Sequence, residues 1–247
     1  ERTQKTLSRV ADAGAYVTLA TGRMFKAAVE TTKGLDLRSP IASFQGAQVA
    51  DPATGEVLWD MPLEASMAKD ALRAIAPWGL DVMANHSDQV YIREMTPRLE
   101  SYGERNNVTV SAVGDLSSIA DKGLTRLVME DGEDEIERLE THLQSLFGSS
   151  LYVTRSLPHY CEVLHPEGGK DKALGWLCDY LGVDKRDTIA FGNGYNDVQM
   201  IQWAALGVAV DGAVPQVVEV ADRTAPRLEE DGVAQTLEEL LDQGLIG

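Results

Sequence analysis

Residues 188–200, Thr-Ile-Ala-Phe-Gly-Asn-Gly-Tyr-Asn-Asp-Val-Gln-Met, constrain the fold more than any other stretch of the chain. Residues 188–191 are a short run rich in strand formers, and Val198, Met200 and Ile201 resume an apolar pattern after a polar break. Two glycines, two asparagines and Asp197 lie between them. This order predicts a buried strand that opens into a tight loop and presents oxygen atoms at the mouth of a helix. In α/β sheets, loops at the carboxyl ends of strands are where ligands bind.

The same strand, loop and helix rhythm is present on both sides of a different middle. Residues 1–13 read as a helix ended by Gly14, 15–20 as a strand, and 24–29 as a helix entered through Thr21, Gly22 and Arg23. Residues 40–44 read as a strand, and 47–50 with 56–59 as a hairpin turning at 51–55. From 65 to 164 the pattern changes. Helices are expected at 65–76, 97–106 and 133–147, and strands at 80–84, 89–93, 108–113, 124–129, 151–154 and 160–164. The α/β rhythm returns with a helix at 170–181 ended by Gly182, strands at 188–191 and 207–210, and helices at 213–221 and 233–241. The prediction is an α/β protein, a Rossmann-like parallel-sheet core formed by 1–62 and 165–247, with 63–164 inserted as an α+β cap.

Charge narrows the partners. Lys and Arg total 22 against 39 Asp and Glu, a net charge of −17, so a polyphosphate backbone is repelled and nucleic acid is not expected as a partner. The two cysteines, Cys161 and Cys178, form neither a metal pair nor a disulfide framework, which fits a cytoplasmic protein with reduced thiols. No membrane span is expected, and the acidic surface fits a monomer or small homo-oligomer.

Three places carry chemistry. Thr21-Gly22-Arg23 follows an apolar strand; hydroxyl, glycine amide and helix N-terminus make either an anion cradle or a simple N-cap. Lys170 opens a helix after Gly168-Gly169, a position that the helix dipole disfavours for a cation, so it is either placed for a purpose or a solvated lysine. Gly192-Asn-Gly-Tyr-Asn-Asp197 is either a site for a hard cation such as Mg²⁺ or an Asn/Asp-rich turn. The histidines, His86, His142, His159 and His165, show no metal-ligand spacing.

Taken in order, these motifs resemble the haloacid dehalogenase superfamily, in particular its Cof-like sugar-phosphate phosphatases. Leu19-Ala-Thr-Gly-Arg23 is similar to the second motif of that family, Lys170 ahead of Ala173-Leu174 to the third, and Gly192 to Asp197 with Met200 to the fourth. Phe44-Gln-Gly-Ala47 resembles the Asn-Gly-Ala segment, and Val208 to Asp211, Ala213-Val214, Ala221-Asp222 and Asp231-Gly-Val233 fit the stretches that follow.

The resemblance implies a Mg²⁺-dependent phosphatase of a small phosphorylated metabolite, working through an aspartyl-phosphate. It gives catalytic roles to Thr21, Lys170 and Asp197, substrate contacts to Thr21, Gly22, Arg23, Gly46, Lys170 and Asn196, and metal positions to Asn193 and Asp197. Arg93, Arg155 and His159 are candidates for reading the rest of the substrate from the cap. A phosphomutase, a phosphatase of a glycosylated phosphoglycerate, or a non-catalytic binding protein would use the same core.

Two departures stand out. Asn193 occupies a position where the family has aspartate. The first motif, Asp-x-Asp-Gly-Thr, is absent from the sequence. The expectation is therefore that the native protein extends upstream by roughly 15–25 residues carrying that motif and a central strand, because a buried sheet lacking its middle strand leaves backbone groups unpaired.

Overall fold

A computed structural model describes residues 1–35 and 37–246. Helix α1 (Arg2–Asp12) precedes an extended segment at 15–20, followed by α2 (Phe25–Thr31), β1 (Ile41–Ser43), β2 (Gln48–Ala50) and β3 (Val57–Asp60). Next come α3 (Ala65–Ile75), β4 (Val82–His86), β5 (Gln89–Ile92), α4 (Pro97–Asn106), β6 (Thr109–Ala112), β7 (Arg126–Glu130), α5 (Glu133–Phe147), β8 (Tyr152–Leu157) and β9 (Tyr160–Leu164). The chain closes with α6 (Lys170–Leu181), β10 (Ile189–Gly192), α7 (Val198–Trp203), β11 (Leu206–Ala209), α8 (Pro215–Val220), β12 (Arg223–Thr224) and α9 (Gly232–Asp242).

The fold is α/β with an α+β insertion. Strands β10, β11 and β12 pair in parallel, and β1, β2 and β3 form an antiparallel meander. Residues 82–164 supply a six-stranded sheet of order β6-β5-β4-β7-β9-β8, antiparallel except for β5 with β6.

Alternation along those strands assigns each face. Ala84, Leu127, Met129, Val153, Cys161 and Val163 pack with Ala71, Ile75, Ile136, Leu139 and Leu143 of α3 and α5 in one large cluster. Met83, Val90, Ile92, Val128 and Leu164 point the other way and join Leu99 and Tyr102 of α4. That second cluster also takes in Met24, Phe44 and Ala47, so it joins the inserted sheet to the α/β part. Asn85, Arg126 and Glu162 are also buried among these strands.

Local chemistry explains where elements stop. Thr96 Oγ1 accepts from Leu99 N at 3.3 Å and Pro97 occupies the first turn of α4, while Gly182 at φ 70° ends α6. Three expectations need correction. The predicted strand at 15–20 is extended but meets β1 in a single bridge, Ala20 to Ala42, with hydrogen bonds Ala42 N to Leu19 O of 2.9 Å and Thr21 N to Ala42 O of 2.8 Å. The strand predicted over 40–44 ends at Ser43, because Phe44, Gln45 and Gly46 turn through φ of 50°, 61° and 92°. The helix predicted from 213 starts at Pro215, since the residue before proline is held extended, here Val214 at ψ 151°. Strand β12, two residues long, was not anticipated.

Candidate active site

The 44–46 turn organises the site. Two consecutive non-glycine residues in the left-handed region are costly for L side chains, by about 1 kcal/mol or more each. They are held by Phe44 N to Arg23 O and Gln45 N to Thr21 O, both 2.9 Å. Gly46 completes the turn where no other residue fits: a Cβ there would lie 2.4 Å from Gly169 O and 2.8 Å from Lys170 Cα. The turn is thereby pressed against the first residue of α6. Gly22 is similarly confined, since a Cβ would meet Gln45 Nε2 at 2.2 Å.

Lys170 and Asp197 form a buried ion pair, Nζ to Oδ1 2.6 Å, with side chains 7% and 8% exposed. Asp197 Oδ2 accepts from Asn193 N and Gly194 N, each at 2.9 Å, closing the loop on itself. Asn196 is buried beside them and donates from Nδ2 to Gln45 Oε1 at 2.6 Å. Gln45 Nε2 in turn donates to Glu162 Oε1 at 2.6 Å, and Glu162 Oε2 pairs with Arg126 Nη1 at 2.6 Å. Arg126 reaches back across the interface to Gly22 O at 2.6 Å, and its Nε donates to Asn85 Oδ1 at 2.7 Å. Burial pushes the Tyr152 phenol well above its ordinary range, and the carboxylates of Asp171, Glu162 and Asp197 add to the effect.

The structure thus brings Gly22, Gly46, Lys170, Asn196 and Asp197 into one cluster through Gln45 and α6. Thr21 stands at its edge, its Oγ1 accepting from Arg23 N at 3.2 Å. The side chain of Arg23 is exposed, and this residue joins the cluster through its backbone. Asn193 is exposed at the rim. Of the three residues expected to read substrate from the inserted region, Arg155 alone meets the loop, its guanidinium 4.4 Å from the Tyr195 ring centroid while its Nε pairs with Glu140 at 2.7 Å. His159 is exposed in the β8–β9 turn against Tyr160. Arg93 lines a cavity of about 490 Å³ with Lys69, Arg73 and Asp115, apart from the cluster.

Sequence reasoning missed Gln45, Asn85, Arg126 and Glu162. Their signal was present as polar residues set in or beside apolar runs, Arg126 ahead of Leu127-Val128-Met129 and Glu162 between Cys161 and Val163. Such residues are buried only when paired.

Chemically, a buried ammonium at the start of a 12-residue helix, packed against the Gly46 turn, can hold a small anion. The residues that would hold Mg²⁺ are fewer. Asp197 is engaged on both oxygens, Asn193 brings a neutral oxygen, and no group of three or more His, Cys, Asp or Glu converges among the described residues. That set alone does not make a Mg²⁺ site. No described helix is long and apolar enough to cross a membrane.

Comparison with known proteins shows the family and the fold. The family model for haloacid dehalogenase-like hydrolases matches residues 1–237. The chain is 30% identical over 247 residues to the 5-amino-6-(5-phospho-D-ribitylamino)uracil phosphatase YitU of Bacillus subtilis, covering 97% of this chain and 90% of that protein. It is 26% identical over 224 residues to the HMP-PP phosphatase of an Enterobacter species, covering 88% of this chain and 79% of the relative. A haloacid dehalogenase-like hydrolase of B. subtilis superposes with a TM-score of 0.84 at 18% identity, over 97% of this chain and 92% of that one, which shows the shared fold. With the family model spanning nearly the whole chain and a relative 30% identical over 97% of it, the chain belongs to the haloacid dehalogenase-like hydrolases.

Proposed function

We propose that this chain is a phosphatase of a small phosphorylated metabolite, a sugar phosphate or a related phosphorylated polyol, with residues 63–164 as a cap over the site. The observation that carries this reading is the buried Lys170–Asp197 pair at the start of α6, seated against the Gly46 turn and next to Asn196. A lysine held there neutralises a bound phosphoryl group and the charge that develops during its transfer. Thr21 Oγ1 and the Gly22 backbone supply further hydrogen bonds to phosphate oxygens, and Asp197 orients Lys170. Two relatives named as phosphatases, acting on chemically different compounds, support the reaction class and leave the leaving group to the cap.

Asn193, a neutral oxygen where the family has aspartate, weakens the metal side and favours a second reading, a non-catalytic protein that binds a phosphorylated ligand. Asn193 and Asp197 are the positions proposed for Mg²⁺, and with Asp197 engaged on both oxygens they would need further oxygen ligands to hold it.

Phosphate release from p-nitrophenyl phosphate by this chain, with and without Mg²⁺, separates the readings. Turnover that disappears in Lys170→Met supports the phosphatase. Binding of inorganic phosphate that depends on Lys170, with no turnover, favours the binding protein. Neither binding nor turnover removes both.

A further inference from the structure

One chain of buried polar groups connects the inserted sheet to the fourth-motif loop, and its direction is fixed by charge. Glu162 is 2% exposed and accepts from Arg126 Nη1 on one oxygen and from Gln45 Nε2 on the other, both at 2.6 Å. A carboxylate only accepts, so Gln45 must present its nitrogen to Glu162 and its oxygen to Asn196. Asn196 must then present its nitrogen to Gln45, 2.6 Å away, which leaves Asn196 Oδ1 on the Gly194 side of the turn; a Cβ on Gly194 would meet that oxygen at 2.6 Å. Turning either amide over would set two oxygens, or two nitrogens, against each other at that distance. Asn196 Nδ2 and Gln45 are both buried, so no bulk water can relieve the mismatch.

We propose that Glu162, on a strand of the inserted sheet, is a positioning residue: acting through Gln45, it sets the orientation of the Asn196 amide beside Lys170 and so ties the affinity of the anion pocket to docking of that sheet. This rests on the reading that Lys170, Thr21 and Asn196 hold a phosphate. Arg126 anchors the far end. Its Nη1 serves Glu162 and the Gly22 carbonyl, and its Nε serves Asn85 Oδ1, so the guanidinium touches the second-motif turn and orients the carboxylate that reads Gln45. The inserted sheet thereby meets both halves of the proposed pocket through one ion pair.

The arrangement predicts a polarity swap. In Glu162→Gln, Arg126 still claims the oxygen at 162, so the new amide nitrogen faces Gln45 and the preferred orientations of the Gln45 and Asn196 amides reverse. In the double variant Gln45→Glu with Glu162→Gln, the acceptor moves one link inward. Glu at 45 then accepts from Gln at 162 and from Asn196, and the Asn196 orientation is restored with the same net charge.

The experiment is titration of inorganic phosphate into the 247-residue chain, read by calorimetry and by the side-chain amide NMR signals of Asn196. Glu162→Gln is expected to weaken phosphate binding about tenfold, the scale of one charge-assisted hydrogen bond, and to move the Asn196 signals. The double variant is expected to recover the affinity to within about threefold and return the signals toward their original positions. Glu130→Gln, a change in the same sheet but off the relay, should lower thermal stability without touching either readout.

Parent-like affinity and unmoved Asn196 signals in Glu162→Gln would overturn the proposal. So would a double variant no better than the single one. If the single variant fails to fold, the double variant decides alone, because only a directional relay lets it bind as the parent does. If the parent binds no phosphate, the reading of the pocket falls; the Asn196 signals, shifted in the single variant and restored in the double, then judge the relay by itself.

Discussion

The inserted sheet and the α/β part of the molecule bury charge for different ends. In the inserted sheet, one face packs mainly through apolar side chains against α3 and α5, with the Arg155–Glu140 pair at α5, while Arg126 and Glu162 stand on the face turned toward the proposed site. The α/β part has two smaller apolar clusters, which share Ala20 and Leu174, and buries the Lys170–Asp197 pair. A region with a large apolar core can spare a polar strand position for contact with its neighbour. A region with small clusters leans on ion pairs and close backbone contacts, and is sensitive to loss of either partner.

The sharpest test of that contrast is Lys170→Ala. It leaves Asp197 buried without its cation, and should cost about 3–5 kcal/mol of unfolding free energy by denaturant titration, whereas Lys170→Met combined with Asp197→Asn, which keeps an oxygen for the Asn193 and Gly194 amides, should recover part of it. A loss no larger for the single than for the double variant would show that the pair adds nothing to the α/β part. Leu139→Ala is the matching change in the inserted region. Leu139 is 0% exposed in the larger cluster, so truncation should cost about 2–5 kcal/mol, with no paired substitution of charge able to repair it.

Third in size is Gly46→Ala. Its φ of 92° and the contact with Gly169 O force the turn away from α6, with a cost of roughly 1–3 kcal/mol and a loss of phosphate binding larger than that stability change explains. Unchanged binding in a folded Gly46→Ala protein would remove the turn from the site.

The smallest effect concerns Glu140. Burial raises its carboxyl above the ordinary value of 4.5, and Arg155 opposes the shift without cancelling it. A raised folded value means that this group stabilises the fold when protonated, fully so below the unfolded value, and that the benefit is lost as pH rises through the folded one. Glu140→Gln should therefore raise the thermal midpoint slightly at pH 7 and leave it unchanged near pH 4. A loss at pH 7 would mean that the Arg155 contact outweighs burial.

Much of this architecture was legible beforehand, for reasons that particular residues make plain. Helix α6 was readable because Ala173, Leu174 and Leu177 repeat at helical spacing between Gly169 and Gly182. Strand β9 was readable from its apolar run, yet the charge inside it, Glu162, carried no local hint of a partner 117 residues away at Gln45. Thr21, Lys170 and Asp197 stand out in the sequence because each sits at the junction of a strand or glycine turn with a helix, where chain geometry itself exposes polar groups. Gln45 was passed over because its left-handed backbone, not its side-chain type, is what aims it.

Local pattern therefore determined the elements, the α/β character, the inserted region and the glycine turns that hold the proposed phosphate-binding residues, since periodicity and backbone freedom are properties of short stretches. Tertiary structure alone decided that Arg126, Glu162, Gln45 and Asn196 form one directed line of hydrogen bonds. Burying a charge is tolerable only beside its partner, and that partner is chosen by how distant strands and turns pack.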